Sequence, residues 1–255
     1  MPPDIISLRS VIIMPRFFIA ASNVMGGVAY LDAKTVEHLK VLRIRRGERF
    51  TVCDGEGTDY VCRISTRGDG SAEILETHPT NGEPAVGVAV FAAFAKGDRT
   101  DTVVQKCVEL GAKEIVFFPS ARCVARPDGA SLLKKQNRWQ TIALEAAKQS
   151  ERGVVPQVRV HTAFDAAVAE AARSELPLFL YEEEHETGLR SVLEAHPEAR
   201  TISLFSGPEG GFEPDEAAFA RESGLLSVSL GARILRCETA PACALTAVMY
   251  ATGNM

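Results

Sequence analysis

Short apolar runs alternate with amphipathic helix patterns from about residue 88 onward. The apolar runs are VAVFAAFA, EIVFFP, PLFLY and TISLF, and helices are expected over residues 98–110 and 131–150. Neighbouring parallel strands need a crossover connection, so strands that alternate with helices are typical of a parallel sheet covered by helices. The pattern therefore predicts an α/β fold for this part of the chain.

The N-terminal part of the chain has a different pattern. From residue 16 to about residue 80, RFFIA, RFTVCDG, DYVCRIS and AEILETH are short strand candidates separated by Gly and Asp turns. A helix pattern begins at Asp32, with Val36, Leu39 and Leu42 predicted to face inward. Residues 77–87 are rich in Pro, Gly and polar groups, which predicts a boundary between two domains, residues 15–82 and 83–255.

Length and composition narrow the possible classes of function. The 255 residues carry a net charge of −5, so contacts with nucleic acid would have to come from local basic patches. The six cysteines form no CxxC pair and no Cys/His metal spacing, which predicts reduced cytosolic thiols and no metal site. No apolar run approaches the length of a membrane span, and residues 1–14 lack the features of a signal peptide. We therefore expect a cytoplasmic protein that does not contact a membrane.

A glycine loop follows the apolar run TISLF. The three glycines of GPEGG, residues 207–211, allow a tight turn and leave backbone amides uncovered by side chains. Pro214 and the two acids after it predict the start of a helix. In an α/β chain such a loop is where a small anionic or nucleotide-like ligand usually binds. However, GPEGG matches neither the dinucleotide fingerprint nor the P-loop, and a plain turn is the commoner interpretation.

A second polar loop lies close to the C-terminus. Residues 225–230 are a strand candidate, and the loop after them, residues 231–238, contains two arginines. Thr239 can cap a last helix, whose sequence APACALTAVMYA is apolar nearly all round. Such a helix is expected to be buried. Since few elements remain to cover it, an oligomer interface is a reasonable expectation.

The two loops together resemble one known family. FSGPEGGFEPDE, followed by SLGARILRCETA, is similar to the RsmE family, the 16S ribosomal RNA uracil-N3 methyltransferases of the SPOUT superfamily. HLKVLRIRRGE, KGDRTDTVVQKCVELGAKEIVFF and RWQTIALEAAKQSERGVVP match as well, and the similarity extends from about Pro15 to the C-terminus. It implies S-adenosyl-L-methionine-dependent methylation of uracil N3 in 16S ribosomal RNA of the small subunit, by a homodimer that needs no metal.

The resemblance also implies a fold for each domain. Residues 15–82 would form a PUA-like RNA-binding β-barrel. Residues 83–255 would form a SPOUT α/β methyltransferase domain with a trefoil knot, the knot and cofactor site lying at about residues 201–240. General topology rules argue against knots, so the knot rests on the resemblance alone.

The family's cofactor site corresponds to residues 204–211, 230–235 and 238–240. Backbone groups of turns match the donors and acceptors of adenine, and apolar side chains supply pocket walls. The predicted cofactor-binding residues are Leu204, Phe205, Ser206, Gly207, Pro208, Glu209, Gly210, Gly211, Leu230, Gly231, Ile234, Leu235, Arg236, Glu238, Thr239 and Ala240. The chain departs from the family pattern at Ala232, where many members have Pro, and at Cys237, where many have Thr.

The implied chemistry suggests catalytic roles. Uracil N3 must lose a proton before it attacks the methyl group, so the enzyme must align the transfer and favour that loss. A cation near the uracil carbonyls would stabilise the anion, and Arg236 is the first candidate and Arg233 the second. Glu238 and Glu209 are the carboxylate candidates for accepting the proton. For Glu238, capping the last helix or holding an arginine is at least as good an interpretation.

Eight basic residues are predicted to contact RNA, because cations along one element or at strand ends can follow a nucleic-acid backbone. They are Arg16, Lys40, Arg43 and Arg46 in the N-terminal domain and Lys96, Arg99, Arg122 and Arg126 in the C-terminal domain. For each, ordinary solvent exposure is the alternative. Two other functions stay open: methylation of a different RNA position, and a non-catalytic RNA-binding assembly factor. The two loops argue against the latter, because a binding module needs no cofactor pocket.

Overall fold

The computed structural model describes residues 14–45, 47–65 and 70–255. The chain divides into two compact units, Met1–Asn81 and Gly82–Met255. In the first unit the strands are β1 (Arg16–Phe18), β2 (Val24–Met25), β3 (Val28–Tyr30), β4 (Arg49–Cys53), β5 (Thr58–Ile64) and β6 (Ser71–Pro79), and the α-helix is α1 (Ala33–Val41).

The strands of the first unit form one sheet in the order β1-β4-β5-β6-β3-β2. β1 is parallel to β4, and the other neighbours are antiparallel. Phe17, Leu39 and Phe50 lie in its hydrophobic core, and the Asp32 side chain caps α1 by accepting a hydrogen bond from the Thr35 amide at 2.6 Å. The four predicted strands and the helix are therefore present.

Two details of the first unit differ from the sequence analysis. Leu42, which was predicted to face inward, is 45% exposed, because α1 ends at Val41 and Leu42 is only its C-cap residue. The hairpin of β2 and β3 was not predicted. Its strands have two and three residues, too few for an alternating pattern, although the Gly26–Gly27 pair at the turn, with positive φ at both residues, is a known hairpin signal.

The second unit is a parallel sheet with helices. Its strands are β7 (Gly87–Ala93), β8 (Glu114–Phe118), β9 (Gln157–Val160), β10 (Leu176–Leu180), β11 (Thr201–Ser206) and β12 (Leu226–Val228). Its helices are α2 (Arg99–Glu109), α3 (Gly129–Gln149), α4 (Phe164–Ala171), α5 (Leu189–Ala195), α6 (Pro214–Glu222) and α7 (Thr239–Ala251). The sheet order is β12-β10-β11-β7-β8-β9, and every neighbouring pair is parallel. The predicted α/β fold of this part is confirmed.

The order of the strands brings several loops to one place. In the sheet, β8 and β9 lie on one side of β7, and the later strands β10, β11 and β12 lie on its other side. All carboxyl ends lie at the same edge, and the direction of winding reverses between β7 and β11. In parallel sheets the crevice at such a switch point is the usual ligand site. The loops after β7 and β11 flank this point.

Aromatic packing fixes the strand that leads to the glycine loop. The rings of Phe205 and Phe118 stack with centroids 4.3 Å apart, and Phe91 and Phe212 lie on other sides of Phe205. After the loop, α6 begins at Pro214, as the sequence predicted, and Glu213 and Glu216 form a capping box there.

The last helix is buried on one side only. Pro241, Ala244, Leu245, Val248 and Met249 are buried, in contacts that include α2 and β11. Cys243 is exposed and Tyr250 is 79% exposed. One face of α7 is therefore uncovered in the single chain, and the oligomer interface expected there stays a prediction. Within the described residues, no helix combines the length and the apolar character needed to cross a membrane.

Candidate active site

Three chain segments meet at the switch point through the guanidinium group of Arg99. Its Nη1 lies 2.6 Å from Oε1 of Glu209, in the glycine loop after β11. Its Nε lies 3.6 Å from Oε2 of Glu238, the residue before α7. The backbone amide of Lys96, after β7, also donates to Oε1 of Glu209 at 2.7 Å. This acid–arginine network joins the two loops that were predicted to bind the cofactor.

The network keeps Glu209 ionised. Burial raises the pKa of Glu209, but hydrogen bonds from the Lys96 amide and from Arg99 outweigh burial, so the net pKa is below the usual value. In return, the hydrogen bond to Glu209 raises the pKa of Arg99. Arg99, a predicted RNA contact, is thus engaged by two carboxylates.

Glu238 performs one of the two structural roles expected for it. It is the N-cap residue of α7, but its side chain makes no capping hydrogen bond. Instead its carboxylate lies near Arg99 and accepts a hydrogen bond from Sγ of Cys237 at 3.2 Å. Burial, and then the hydrogen bond to Glu238, raise the pKa of Cys237 to about 12. Cys237 is therefore a neutral thiol near pH 7.

The glycine loop has little room for side chains. A Cβ atom on Gly207 would lie 2.9 Å from the ring of Phe212. Gly211 has φ +69°, and a Cβ atom there would lie 1.7 Å from Oε1 of Glu182. Both positions therefore require glycine, which leaves the backbone of the loop open to close approach.

Of the predicted RNA contacts, Arg122 holds the glycine loop in place, and Arg126 contacts the loop after β8. Nη1 of Arg122 donates to the carbonyl of Gly210 at 2.9 Å, and its Nε pairs with Glu213 at 2.9 Å. The hydrogen bond from Arg122 lowers the pKa of Glu213. Arg126 donates to the carbonyl of Ala121 at 2.6 Å. Both side chains therefore make structural contacts, although each keeps further N–H groups.

Sequence reasoning missed the acids that bind the loop after β8. Glu216 accepts hydrogen bonds from Oγ of Ser120 at 3.0 Å and from the amide of Ala121 at 2.8 Å. The pattern of Glu213 and Glu216, three residues apart before a helix, is a capping-box signal that could have identified them. Glu182 was also missed, and no local signal points to its position beside Gly211.

The predicted cofactor residues divide into buried and open groups. Leu204 and Phe205 are fully buried in the sheet core, so only their backbone could face a ligand. Leu230 and Leu235 are half-buried, whereas Ile234 is 88% exposed. Ser206 is buried at the end of β11 and Gly231 begins the second loop, and the other predicted residues lie in the glycine loop or beside the start of α7.

Arg233 and Arg236 are exposed at the second loop. No acid of the described chain lies within ion-pair distance of either guanidinium group. These two side chains are therefore available to a ligand, in contrast to Arg99 and Arg122.

The basic residues of the first unit have different surroundings. Arg16 pairs with Asp59 at 2.5 Å, and its side chain is only 16% exposed, so its observed contact is structural. Lys40 and Arg43 are exposed at the C-terminal end of α1. Arg46 lies outside the described residues.

Two family models match the chain. The RNA methyltransferase domain matches residues 82–249, and the RNA methyltransferase PUA domain matches residues 31–76. The chain is 31% identical over 229 residues to ribosomal RNA small subunit methyltransferase E of Bacillus subtilis, which covers 87% of this chain and 90% of that protein. The ribosomal RNA small subunit methyltransferase E of Mycobacterium tuberculosis is 34% identical over 247 residues, which covers 93% of this chain and 92% of that protein.

Solved structures give the same result. The ribosomal RNA small subunit methyltransferase E from Neisseria gonorrhoeae bound to S-adenosyl methionine has a TM-score of 0.79 and 34% identity, covering 92% of this chain and 97% of that one. A putative methyltransferase from Legionella pneumophila in complex with bound SAM has a TM-score of 0.80 and 28% identity, covering 93% of this chain and 98% of that one.

Proposed function

The chain belongs to the ribosomal RNA small subunit methyltransferase E family, and from this we propose that it methylates N3 of a uracil in 16S ribosomal RNA with S-adenosyl-L-methionine. The observation that carries the proposal is the meeting of the glycine loop, the residues before α7 and the loop after β7 at the switch point of the sheet. A family member crystallised with S-adenosyl methionine has a closely similar fold.

The residues at this edge fit the cofactor. Gly207 and Gly211 have no side chains, so the backbone of residues 207–211, which continues from the end of β11, would offer its remaining free amides and carbonyls to the donors and acceptors of adenine. Residues 230–235 and 238–240 would complete the site, with Leu230 and Leu235 as apolar walls. When bound, the cofactor supplies a methyl group already activated on a sulfonium.

The protein's own residues then have three tasks. Arg236, an exposed cation beside the network, would stabilise negative charge on the uracil carbonyls as N3 loses its proton, with Arg233 as the second candidate. Glu238 would position the segment before α7 through its contact with Arg99. It is also the candidate acceptor of the N3 proton. Glu209, fixed by Lys96 and Arg99, would keep the glycine loop in place.

The finer fold is part of the proposal. We propose a trefoil knot at about residues 201–240, supported by the parallel bridge between Gly188 and Ser229 and by the return of α7 to pack on β11. We also propose that residues 15–82 form a PUA-like RNA-binding β-barrel, with Lys40 and Arg43 as exposed contacts and Arg46 as a remaining prediction. Residues 83–255 would be the SPOUT methyltransferase domain.

We further propose a cytoplasmic homodimer. The open face of α7, which includes Cys243 and Tyr250, is an apolar surface that a second copy of the chain could cover. The substrate would be ribosomal RNA of the small subunit.

Single-turnover methylation of small ribosomal subunits tests the assigned roles. We expect Arg236→Ala to lose about a hundredfold or more in rate, the usual effect of removing one electrostatic donor from a closed site. Cys237→Ala and Cys237→Thr should keep most of the rate, because deprotonated N3 is a nucleophile without help from a thiolate. A Cys237→Ala enzyme that binds cofactor and RNA but transfers no methyl group would favour covalent methylation at pyrimidine C5 instead.

A further inference from the structure

A cleft of about 230 Å³ opens between the first turn of α2 and the side of α3. Its lining includes Asp98, Thr100 and Asp101 from the start of α2 and Lys135, Arg138 and Trp139 from α3. Arg99, which holds Glu209 and Glu238, belongs to the same turn of α2. The cleft and the candidate active site are therefore neighbours that share this turn.

Hydrogen-bond donors in the cleft lack partners. Thr100 is only 3% exposed, and within the described chain its hydroxyl group has no hydrogen-bond partner. Although the residue is buried, its hydroxyl oxygen is not among the buried polar atoms that lack a partner in the described chain, so it reaches solvent at the cleft and is free to donate to a ligand. Asp98, the N-cap residue of α2, makes no side-chain capping bond, so the first-turn amides remain open and carry the positive end of the helix dipole.

Two cations complete the site. Lys135 is half-buried and has no ion-pair partner among residues 14–45, 47–65 and 70–255. Arg138 is held by one carboxylate oxygen of Asp101, while the other oxygen accepts the indole N–H of Trp139 at 3.1 Å. The charge of Asp101 is thus offset, and the Arg138 side chain is still 67% exposed. Asp98 contributes an exposed negative charge at the rim.

We propose that this cleft binds a backbone phosphate of the substrate RNA, next to the nucleotide that is methylated. Lys135 would supply the unpaired positive charge for the phosphate, and the exposed N–H groups of Arg138, the Thr100 hydroxyl and the α2 amides would donate hydrogen bonds to its oxygens. The inference rests on the proposed function, because it requires an RNA substrate. Base stacking is not the role of this cleft, since the Trp139 ring is only 1% exposed.

Two adjacent lysines provide a matched test. Lys135→Gln removes the cation of the cleft, whereas Lys134→Gln removes an equal charge from an exposed position outside its lining. We expect Lys135→Gln to weaken RNA binding about fivefold or more and to reduce the slope of log affinity against log salt by about 0.7 to 0.9, the value for one phosphate. Lys134→Gln should change neither quantity beyond a small, nonspecific loss.

Two further variants probe the same cleft. Thr100→Val, which removes only the hydroxyl group, should also weaken RNA binding, with an unchanged salt slope. Asp98→Asn should strengthen binding, because it removes the negative charge at the rim. Calorimetric titration with S-adenosyl-L-methionine should give wild-type affinity for Lys135→Gln, which would show that the active site is intact.

The outcomes separate this inference from the proposed function. Equal losses for Lys135→Gln and Lys134→Gln, in a wild-type protein that methylates RNA, would overturn the phosphate site and leave the methyltransferase assignment intact. Loss of cofactor affinity in Lys135→Gln would also overturn it, since the defect would then not be one of phosphate binding. A wild-type protein that binds cofactor but neither binds nor methylates RNA would refute the proposed function itself.

Discussion

Cys237 lies directly between the two residues proposed for catalysis, Arg236 and Glu238, yet its surroundings make it a poor nucleophile. Burial is the larger cause of its raised pKa, and the hydrogen bond to Glu238 adds to it. With a pKa of about 12, the thiolate is scarce at any physiological pH. This agrees with a reaction in which N3 itself is the nucleophile.

The thiol pKa can be tested by alkylation. We expect Cys237 to react with iodoacetamide at pH 8 on the order of a thousand times more slowly than an ordinary thiol, because so little thiolate is present. Labelling should rise with pH well beyond pH 9, since the raised pKa moves the titration upward. Glu238→Gln should speed the alkylation of Cys237, because loss of the negative charge beside the thiol lowers its pKa and increases the thiolate fraction. Free cysteine in the same reaction is the reference, because Cys243 lies on the proposed dimer surface, and labelling of Cys237 as fast as this reference would contradict the account.

Side-chain partners were the part of the site that sequence reasoning could not supply. Arg99 and Arg122 were predicted as RNA contacts, but their acids, Glu209 and Glu213, lie about a hundred residues further along the chain. Charge and local pattern identify an arginine as a potential contact, whereas only the order of the strands decides which acid faces it. Arg236 was selected from its motif alone, and its catalytic role stays a prediction.

The glycine loop between β11 and α6 is the element proposed to bind the cofactor. We expect Gly210→Val to abolish S-adenosyl-L-methionine binding by placing a side chain where the backbone must approach the ligand. The new Cβ atom would also lie 3.2 Å from Cβ of Arg122, so a clash could distort the loop. Calorimetry on Gly210→Val and on the double variant with Arg122→Ala separates the two causes.

Arg122→Ala alone is the control and should keep measurable cofactor affinity. If relief of the clash in the double variant restored binding, the loop would matter only for its shape. Undiminished binding in Gly210→Val itself would remove the loop from the site.

Long elements with a clear pattern could be predicted, and short ones could not. The bounds of α7 agree with the sequence prediction, because a long apolar segment follows the polar loop, although the N-cap residue is Glu238 and not the predicted Thr239. β9 and α5 were not predicted, since four and seven residues are too few to establish a period. For α7 the sequence predicted that the chain alone would not cover the whole helix, but not which face stays exposed, because that depends on the neighbours that the fold provides.

An ion pair near the boundary of the two units decides where the chain can be divided. Arg152 is 5% exposed and pairs with Glu83 at 2.7 Å. Burial raises the pKa of Glu83, but Arg152 outweighs burial and the net pKa is lowered. The stabilisation is therefore fully present above the ordinary carboxyl pKa of about 4.3 and is lost as the pH falls through the lower, folded value.

A chain that begins at Gly82 should therefore fold and keep cofactor affinity while losing most RNA affinity. A chain that begins at Ala85 is the matched control. It should be less stable by about 3–5 kcal/mol in denaturant unfolding, because Arg152 would be left buried without its partner. Filter binding compares RNA affinities. Full RNA affinity in the chain from Gly82 would mean that Lys40 and Arg43 form only a solvated surface.

The methyl group's position on the RNA distinguishes the proposed reaction from every alternative. Mass spectrometry of nucleosides from small-subunit ribosomal RNA should show 3-methyluridine in wild-type cells and its loss in cells that lack this gene. The wild-type gene should restore the nucleoside, and a gene carrying Arg236→Ala should not. Unchanged 3-methyluridine together with the loss of a different methylated nucleoside would contradict the assignment.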